Sequence, residues 1–122
     1  MTVLATKRPQ IMLVEDDTLV SEALEIVLES KHCRVLGPVA TVDAAHKLLE
    51  ASNPDFVLID DRVDATITER LLASFHARHI PTCVLTTLPA DELPVTYAKC
   101  AVLQKPCRLG DLLDVLKRVR PG

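Results

Sequence analysis

Tryptophan is absent, and aromatic residues make up only 2% of the 122 positions. A chain this poor in rings has no stacking platform for the bases of single-stranded nucleic acid. It also lacks a strong excess of either charge: 14 Lys and Arg face 17 Asp and Glu, a net charge of −3. A nucleic-acid partner would favour a clustered basic surface, so none is expected. Apolar runs are only a handful of residues long, far short of the roughly 20 that span a bilayer. The N-terminus lacks the apolar stretch of a signal peptide. Cys33, Cys83, Cys100 and Cys107 form no Cys-x-x-Cys pair, and no His stands at metal-finger spacing from them. They read as small buried apolar side chains in a reducing compartment, with zinc or a disulfide as the alternative. The expectation is a cytoplasmic protein without nucleic-acid or membrane partners.

No repeat, linker or low-complexity stretch interrupts the chain, and its length suits one domain. Residues 1–9, ending at Pro9, are expected to be a loose lead-in, and residues 10–120 the domain. Short apolar runs then alternate with helical periodicity. Ile11 to Val14 is a buried-strand pattern. Over 18–31, Val20, Ala23, Leu24, Val27 and Leu28 form a helix face. Val35-Leu36 is a second strand, ended by Gly37-Pro38. Val42, Ala45, Leu48 and Leu49 mark a second helix over 42–51, stopped at Asn53-Pro54. Phe56 to Ile59 is a third strand, running into Asp60-Asp61. Thr66-x-x-Glu69 has the form of a capping box, opening a helix that carries Leu71, Leu72 and Phe75. Cys83 to Thr86 and Ala101 to Leu103 are the remaining strands. Leu109, Leu112, Leu113, Leu116 and Val119 mark a final amphipathic helix.

Such alternation implies right-handed crossovers and a parallel sheet covered on both faces. The fold class expected is α/β, a flavodoxin-like doubly wound five-stranded sheet in the order 2-1-3-4-5. Ligands in such sheets bind at the carboxyl ends of the strands. Glu15 and Asp16 follow strand one directly, and Asp60 follows strand three. In this order the two strands are neighbours, so three carboxylates are expected to converge within a few ångströms. Their mutual repulsion calls for a cation. Mg²⁺ fits, because it takes hard oxygen ligands, keeps waters and commonly joins one or two carboxylates to a phosphate. Strand five runs into Lys105-Pro106, which brings an ammonium over the same edge, and strand four ends at the Thr86 hydroxyl. A carboxylate can act as nucleophile toward a phosphoryl group. Catalysis then needs mainly alignment and charge neutralisation.

Val14-Glu15-Asp16-Asp17, Asp55-Phe-Val-Leu-Ile-Asp60, Thr86 and Lys105-Pro106 resemble the receiver domain of two-component response regulators, over nearly the whole chain. The resemblance implies Asp60 as phosphoacceptor and Glu15 and Asp16 as the metal-binding acids. It also implies the backbone carbonyl of Arg62 as a further Mg²⁺ ligand, Thr86 as switch hydroxyl, Lys105 as phosphate-binding lysine, and a cis bond before Pro106. Gly37-Pro38-Val-Ala-Thr41 and Val102-Leu-Gln-Lys-Pro106 resemble, more narrowly, the single-domain FATGUY receivers. Thr86-Thr87-Leu88 departs from their Thr-Gly-Tyr. The partner implied is a sensor histidine kinase, of the HWE or a related class. The function expected is a stand-alone phosphoacceptor that signals through its surface, rather than a conventional enzyme. The alternatives are an unphosphorylated pseudo-receiver that acts as an interaction module, and a dehalogenase-type phosphatase. The latter needs a second acid two residues after the nucleophile, where Arg62 stands.

Several residues have plain readings beside the sharp ones. Asp17 is expected to cap the first helix rather than bind metal. Asp61 is either a solvated side chain or a perturbing fourth acid. His32, His46, His76 and His79 read as surface or helix-end residues, and Lys117, Arg118 and Arg120 as cations complementing a helix dipole. Val102 occupies the place where many receivers carry a switch aromatic, so a Thr–aromatic switch is not expected. For residues 88–100, Pro94 and sparse apolar positions predict a short or irregular helix four. At most one turn is expected around Ala90 to Leu93, then a mobile stretch that phosphorylation would order.

Overall fold

The computed structural model describes residues 8–118. The first strand, β1 (Gln10–Val14), is almost wholly buried, as its unbroken apolar run requires. Helix α1 (Thr18–Ser30) begins where the Asp17 carboxylate accepts the Val20 N–H at 3.1 Å, the cap expected of it. The helix ends with His32 at φ 63°. There the Cys33 N–H bonds to the Leu28 carbonyl and the His32 N–H to that of Glu29, a left-handed cap at a residue other than glycine. The helix over Glu69–Ala77 closes the same way through His79, which gives two of the four histidines a backbone role.

The second strand, β2 (Arg34–Val39), runs past the point where Gly37-Pro38 was expected to end it. The Gly37-Pro38 bond is cis, and pairing with β1 shifts register between Met12 and Val14. The breaker thus makes a bulge rather than a stop. Gly37 sits at φ +95°, where a Cβ would lie 2.8 Å from the Val39 nitrogen. Helix α2 (Val42–Ala51) is capped by Thr41 and buries Ala45 and Leu49. Strand β3 (Phe56–Asp60) is buried along its whole length. A tight hairpin follows, β4 (Arg62–Val63) against β5 (Thr66–Ile67). It turns through Asp64 and Ala65, both at positive φ.

This hairpin overturns the capping box. Thr66 belongs to β5, and α3 (Glu69–Ala77) starts after Thr68. The Thr68 hydroxyl does not cap the helix but donates to the Asp61 carbonyl at 3.0 Å. Strand β6 (Thr82–Thr86) is fully buried. Two short 3-10 turns, Ala90–Glu92 and Val95–Tyr97, then take the place of a helix. The first agrees with the expected single turn. The second does not, because it carries Tyr97 into the core at 4% exposure. Strand β7 (Ala101–Gln104) and helix α4 (Leu109–Leu116) complete the described chain.

The five long strands form one parallel sheet in the order β2-β1-β3-β6-β7. This is the doubly wound, CheY-like flavodoxin order expected from the alternation. Helices α2 and α3 cover one face, packing Leu71, Leu72 and Phe75 on Met12, Val57 and Ile59. Helices α1 and α4 cover the other, packing Leu24, Leu28, Leu112 and Val115 on Ile11, Leu13, Leu58 and Leu85. The lead-in is tighter than expected at its end, since the Pro9 carbonyl accepts the Arg34 N–H and the Arg8 guanidinium donates to the Cys33 carbonyl. Residues 1–7, Val119 and Arg120, to which the other lead-in and tail expectations refer, lie outside the described residues. Cys33 and Cys83 are buried and Cys100 and Cys107 half-buried, all as free thiols.

Candidate functional site

The register of the sheet decides what meets at its carboxyl edge. Val14 pairs with Ile59 and Asp60 with Leu85, while Thr86 pairs with Gln104. Each chemistry-bearing side chain stands at or just beyond one of these pairs. They open on a shared cleft lined by Asp16, Asp60, Asp61, Arg62, Tyr97 and Lys105, among others.

Asp60 is buried, with one carboxylate oxygen accepting the Arg62 N–H at 2.9 Å. Its other oxygen, Oδ2, bonds to the Lys105 ammonium. The Lys105-Pro106 peptide is cis, as the family resemblance implies. Glu15 is also buried, and its Oε1 accepts the Asp17 N–H at 3.1 Å. Burial pushes its carboxyl up to about 7; the backbone bond from Asp17 pulls the other way, and the nearby Asp60 adds to the rise. Burial acts to lower Lys105, but its bond to Asp60 and the charges of Asp60 and Glu15 outweigh that and hold the ammonium above its ordinary value.

Two of the three acids, Glu15 and Asp60, stand together, but the expected cluster of three does not form. Asp16 is exposed, and its Oδ2 accepts the Asp64 N–H of the hairpin at 2.7 Å. Among the described residues, no three Asp, Glu, His or Cys side chains come together as a metal cage. Lys105 neutralises Asp60, and the hairpin engages Asp16. The site still fits a divalent ion in one respect. Glu15 Oε2 is buried without a hydrogen-bond partner, a state that costs about 1–3 kcal/mol or more for a charged group. A hard cation held by few carboxylates and completed by water would satisfy it.

Asp61, half-buried, is the perturbing fourth acid, its charge adding to the rise of both Tyr97 and Lys105. Its Oδ2 accepts the Thr86 hydroxyl at 2.6 Å and the Tyr97 phenol at 3.1 Å. Thr86 therefore points its proton at Asp61, and its own oxygen accepts the Leu88 N–H. Tyr97 is a site residue that the sequence reading missed. Its signal was present: a lone tyrosine just past a proline, in a chain with little aromatic content. Burial drives its phenol upward, and the charge of Asp61 and their bond add to that. Val102 only packs half-buried against the core. The absence of an aromatic there thus does not leave Thr86 without an aromatic neighbour, because Asp61 links it to Tyr97.

No family model and no curated protein matches the chain. Solved structures do. The chain is similar to SdrG from Sphingomonas melonis Fr1, with 27% identity over 90% of this chain and 94% of that one and a TM-score of 0.78. It is similar to the receiver domain of the sensor histidine kinase PA1611 from Pseudomonas aeruginosa PAO1, which has a magnesium ion coordinated in its active-site cleft. That pair shares 27% identity over 93% and 98% of the two chains, with a TM-score of 0.79. A CheY-like response-regulator receiver domain from Methylobacillus flagellatus shares only 18% identity but has a TM-score of 0.82 over 93% of this chain and all of that one. The structural neighbours of this chain are therefore response-regulator receiver domains, and it shares their fold.

Proposed function

We propose that this chain is a receiver that accepts a phosphoryl group on Asp60 from a sensor histidine kinase in a Mg²⁺-dependent reaction. The observation that carries the reading is the trio of Asp60, Lys105 and Glu15. A buried strand-end carboxylate is held by an ammonium, beside a second buried carboxylate with an unpartnered oxygen. An Asp60 oxygen attacks phosphorus in line, the phosphorus–nitrogen bond to the donor imidazole breaks, and its electron pair leaves with that nitrogen, which is protonated by water. Lys105 gives up Asp60 and turns to a phosphoryl oxygen, so its charge moves with the charge it neutralises. Glu15, Asp16, Asp60 and the Arg62 carbonyl are the groups that would hold Mg²⁺, which supplies further neutralisation of the phosphoryl oxygens. Thr86 would donate to one of those oxygens once Asp61 releases it.

Residues 10–120 act as one cytoplasmic signalling domain in this proposal. The narrower likeness to FATGUY receivers rests on the Gly37-Pro38, Leu93-Pro94 and Lys105-Pro106 segments and the short Asp60-to-Pro81 spacing, and nothing in the fold favours an HWE kinase over another class. Asp61 and the Thr87-Leu88 pair that stands in place of Gly-Tyr are the features that motivate the unphosphorylated interaction module; Asp61 is engaged in the site, and no observation favours that reading. The test is intact-mass analysis after incubation with Mg²⁺ and acetyl phosphate. One phosphoryl group should appear on the wild type, none on Asp60→Asn, and far less on Lys105→Ala. Equal uptake by Asp60→Asn would refute the assignment of the phosphoacceptor.

A further inference from the structure

One carboxylate oxygen takes two hydroxyl protons here. Asp61 Oδ2 accepts from Thr86 at 2.6 Å and from Tyr97 at 3.1 Å, across 25 and 36 positions of sequence. The Asp61 backbone is fixed as well. Its N–H bonds to the Leu85 carbonyl, and its carbonyl accepts from both the Thr68 amide and the Thr68 hydroxyl. The carboxylate is thus presented from a rigid point, directly after Asp60, to the end of β6 and to the second 3-10 turn. That turn is otherwise held by few bonds of its own, those of the Tyr97, Ala98 and Cys100 amides to carbonyls three residues back. Val95 in it is 90% exposed, whereas Tyr97 is buried. The phenol is the turn's anchor.

A hydroxyl has one proton to donate. While Thr86 spends it on Asp61, it has none for an oxygen on Asp60. A phosphoryl group there would replace the single negative charge of Asp60 by roughly two and carry them further into the half-buried cleft beside the Asp61 carboxylate. Like charges so placed repel, and the Thr86 proton is drawn to the stronger acceptor. Both effects act on the same oxygen that holds Tyr97.

We propose that Asp61 is a latch: a positioning residue that holds Thr86 and Tyr97 together on one oxygen in the unphosphorylated chain, and that a phosphoryl group on Asp60 opens it, freeing the Val95–Tyr97 turn. This rests on the reading of Asp60 as phosphoacceptor. It reverses the sign expected from sequence, in which phosphorylation orders that segment. The signal becomes the release of an anchored turn. Asp61 is assigned no contact with the transferred group; its role is to govern where the Thr86 proton points.

Amide hydrogen exchange over residues 95–100, with phosphorylation followed by intact mass, tests both halves with three variants. Asp61→Ala removes the acceptor. It should raise exchange there about tenfold without any phosphodonor, the effect of losing charge-assisted bonds, and phosphorylation should add little. Tyr97→Phe removes the phenol's bond to Asp61 and should raise exchange in the same way. Asp61→Asn separates a latch from a merely structural contact. Its amide oxygen can still accept both hydroxyls but carries no charge to repel. It should therefore stay well below Asp61→Ala in unphosphorylated exchange, take up the phosphoryl group from acetyl phosphate and Mg²⁺, and open clearly less than wild type. Unchanged exchange in Asp61→Ala overturns the latch even if Asp60 is phosphorylated. Opening of Asp61→Asn equal to wild type overturns the repulsive mechanism. If the wild type takes up no phosphoryl group, the functional reading and the opening step both fail. The exchange of unphosphorylated Asp61→Ala then still decides whether Asp61 anchors the turn.

Discussion

Lys105 serves Asp60 and Glu15 unequally: its ammonium bonds to Asp60 Oδ2 but stands 3.9 Å from Glu15 Oε2, within ion-pair distance and beyond hydrogen-bond reach. The cleft therefore has one carboxylate bonded directly to the ammonium and one that feels its charge only through space, too weakly to offset burial.

That imbalance sets a pH dependence. Glu15 is raised from its ordinary 4.5 to about 7 by burial, against its backbone bond from Asp17 and with Asp60 adding to the rise. Across that window the folded chain keeps a proton that the unfolded chain has already lost. Stability of the metal-free protein should fall as pH climbs through the window and level off above it. Glu15→Gln should flatten the profile and melt above wild type at the alkaline end. Mg²⁺ should raise the wild-type melting temperature most at that end, by binding the folded state. A metal-free melting temperature that rises through the same window in wild type, but not in Glu15→Gln, would show the sign to be wrong.

Gly37 should not tolerate a side chain. At φ +95°, with backbone atoms 2.8 Å and 3.0 Å from where a Cβ would sit, neither torsion nor space accommodates one. Gly37→Ala should cost about 1–3 kcal/mol from the torsion alone, with the clash added. Urea unfolding measures it. A loss below about 0.5 kcal/mol, the range of ordinary surface substitutions, would show that the bulge in β2 relaxes freely.

The four thiols should separate into two classes. Burial pushes Cys83 up to about 12, with the neighbouring thiols Cys107 and Cys100 adding to it, and Cys33 is raised by burial as well. Burial raises Cys100 and Cys107 too, so access decides the order: the half-buried Cys107 and Cys100 should be modified by iodoacetamide first on the folded protein. Cys33 and Cys83 should react only after unfolding. Peptide mass mapping of a time course reads the order, and early labelling of Cys83 would contradict the packing of β6.

Tyr97 is the chain's one tyrosine, and there is no tryptophan, so phenol absorbance reports on it alone. Burial and then Asp61 hold its proton on. The unfolded phenol ionises near its ordinary 10, so stability linked to this group is lost as pH rises past that value. In alkaline absorbance titration, Asp61→Asn should ionise at lower pH than wild type, because it removes a charge while keeping the bond's geometry. Coincident titrations would mean that Asp61 exerts no field on the phenol.

The hairpin β4–β5 and the bulge in β2 show where local reading fails. Thr66 and Glu69 have the spacing of a helix cap, yet Asp64 and Ala65 adopt positive φ and turn the chain back on itself before the helix begins. Gly37-Pro38 has the composition of a stop, yet β1 supplies a partner strand on the far side of it. In both cases the local signal was real, and a pairing partner outside the segment's own residues or a turn conformation overrode it.

Much of the architecture was nonetheless determined by the sequence alone. Apolar runs of strand length ending at Glu15, Asp60, Thr86 and Lys105, alternating with helical faces, admit few folds other than a doubly wound parallel sheet, because burial and crossover handedness are read from near neighbours along the chain. Which polar atoms bond to which was decided only in three dimensions. Lys105 reaches Asp60 across 45 positions, Thr86 reaches Asp61 across 25, and Tyr97 reaches Asp61 across 36. Such partners are chosen by sheet register and by the path of a short segment after β6. A shift of one residue in either would aim Thr86 or Tyr97 elsewhere without disturbing the hydrophobic pattern that the sequence displays.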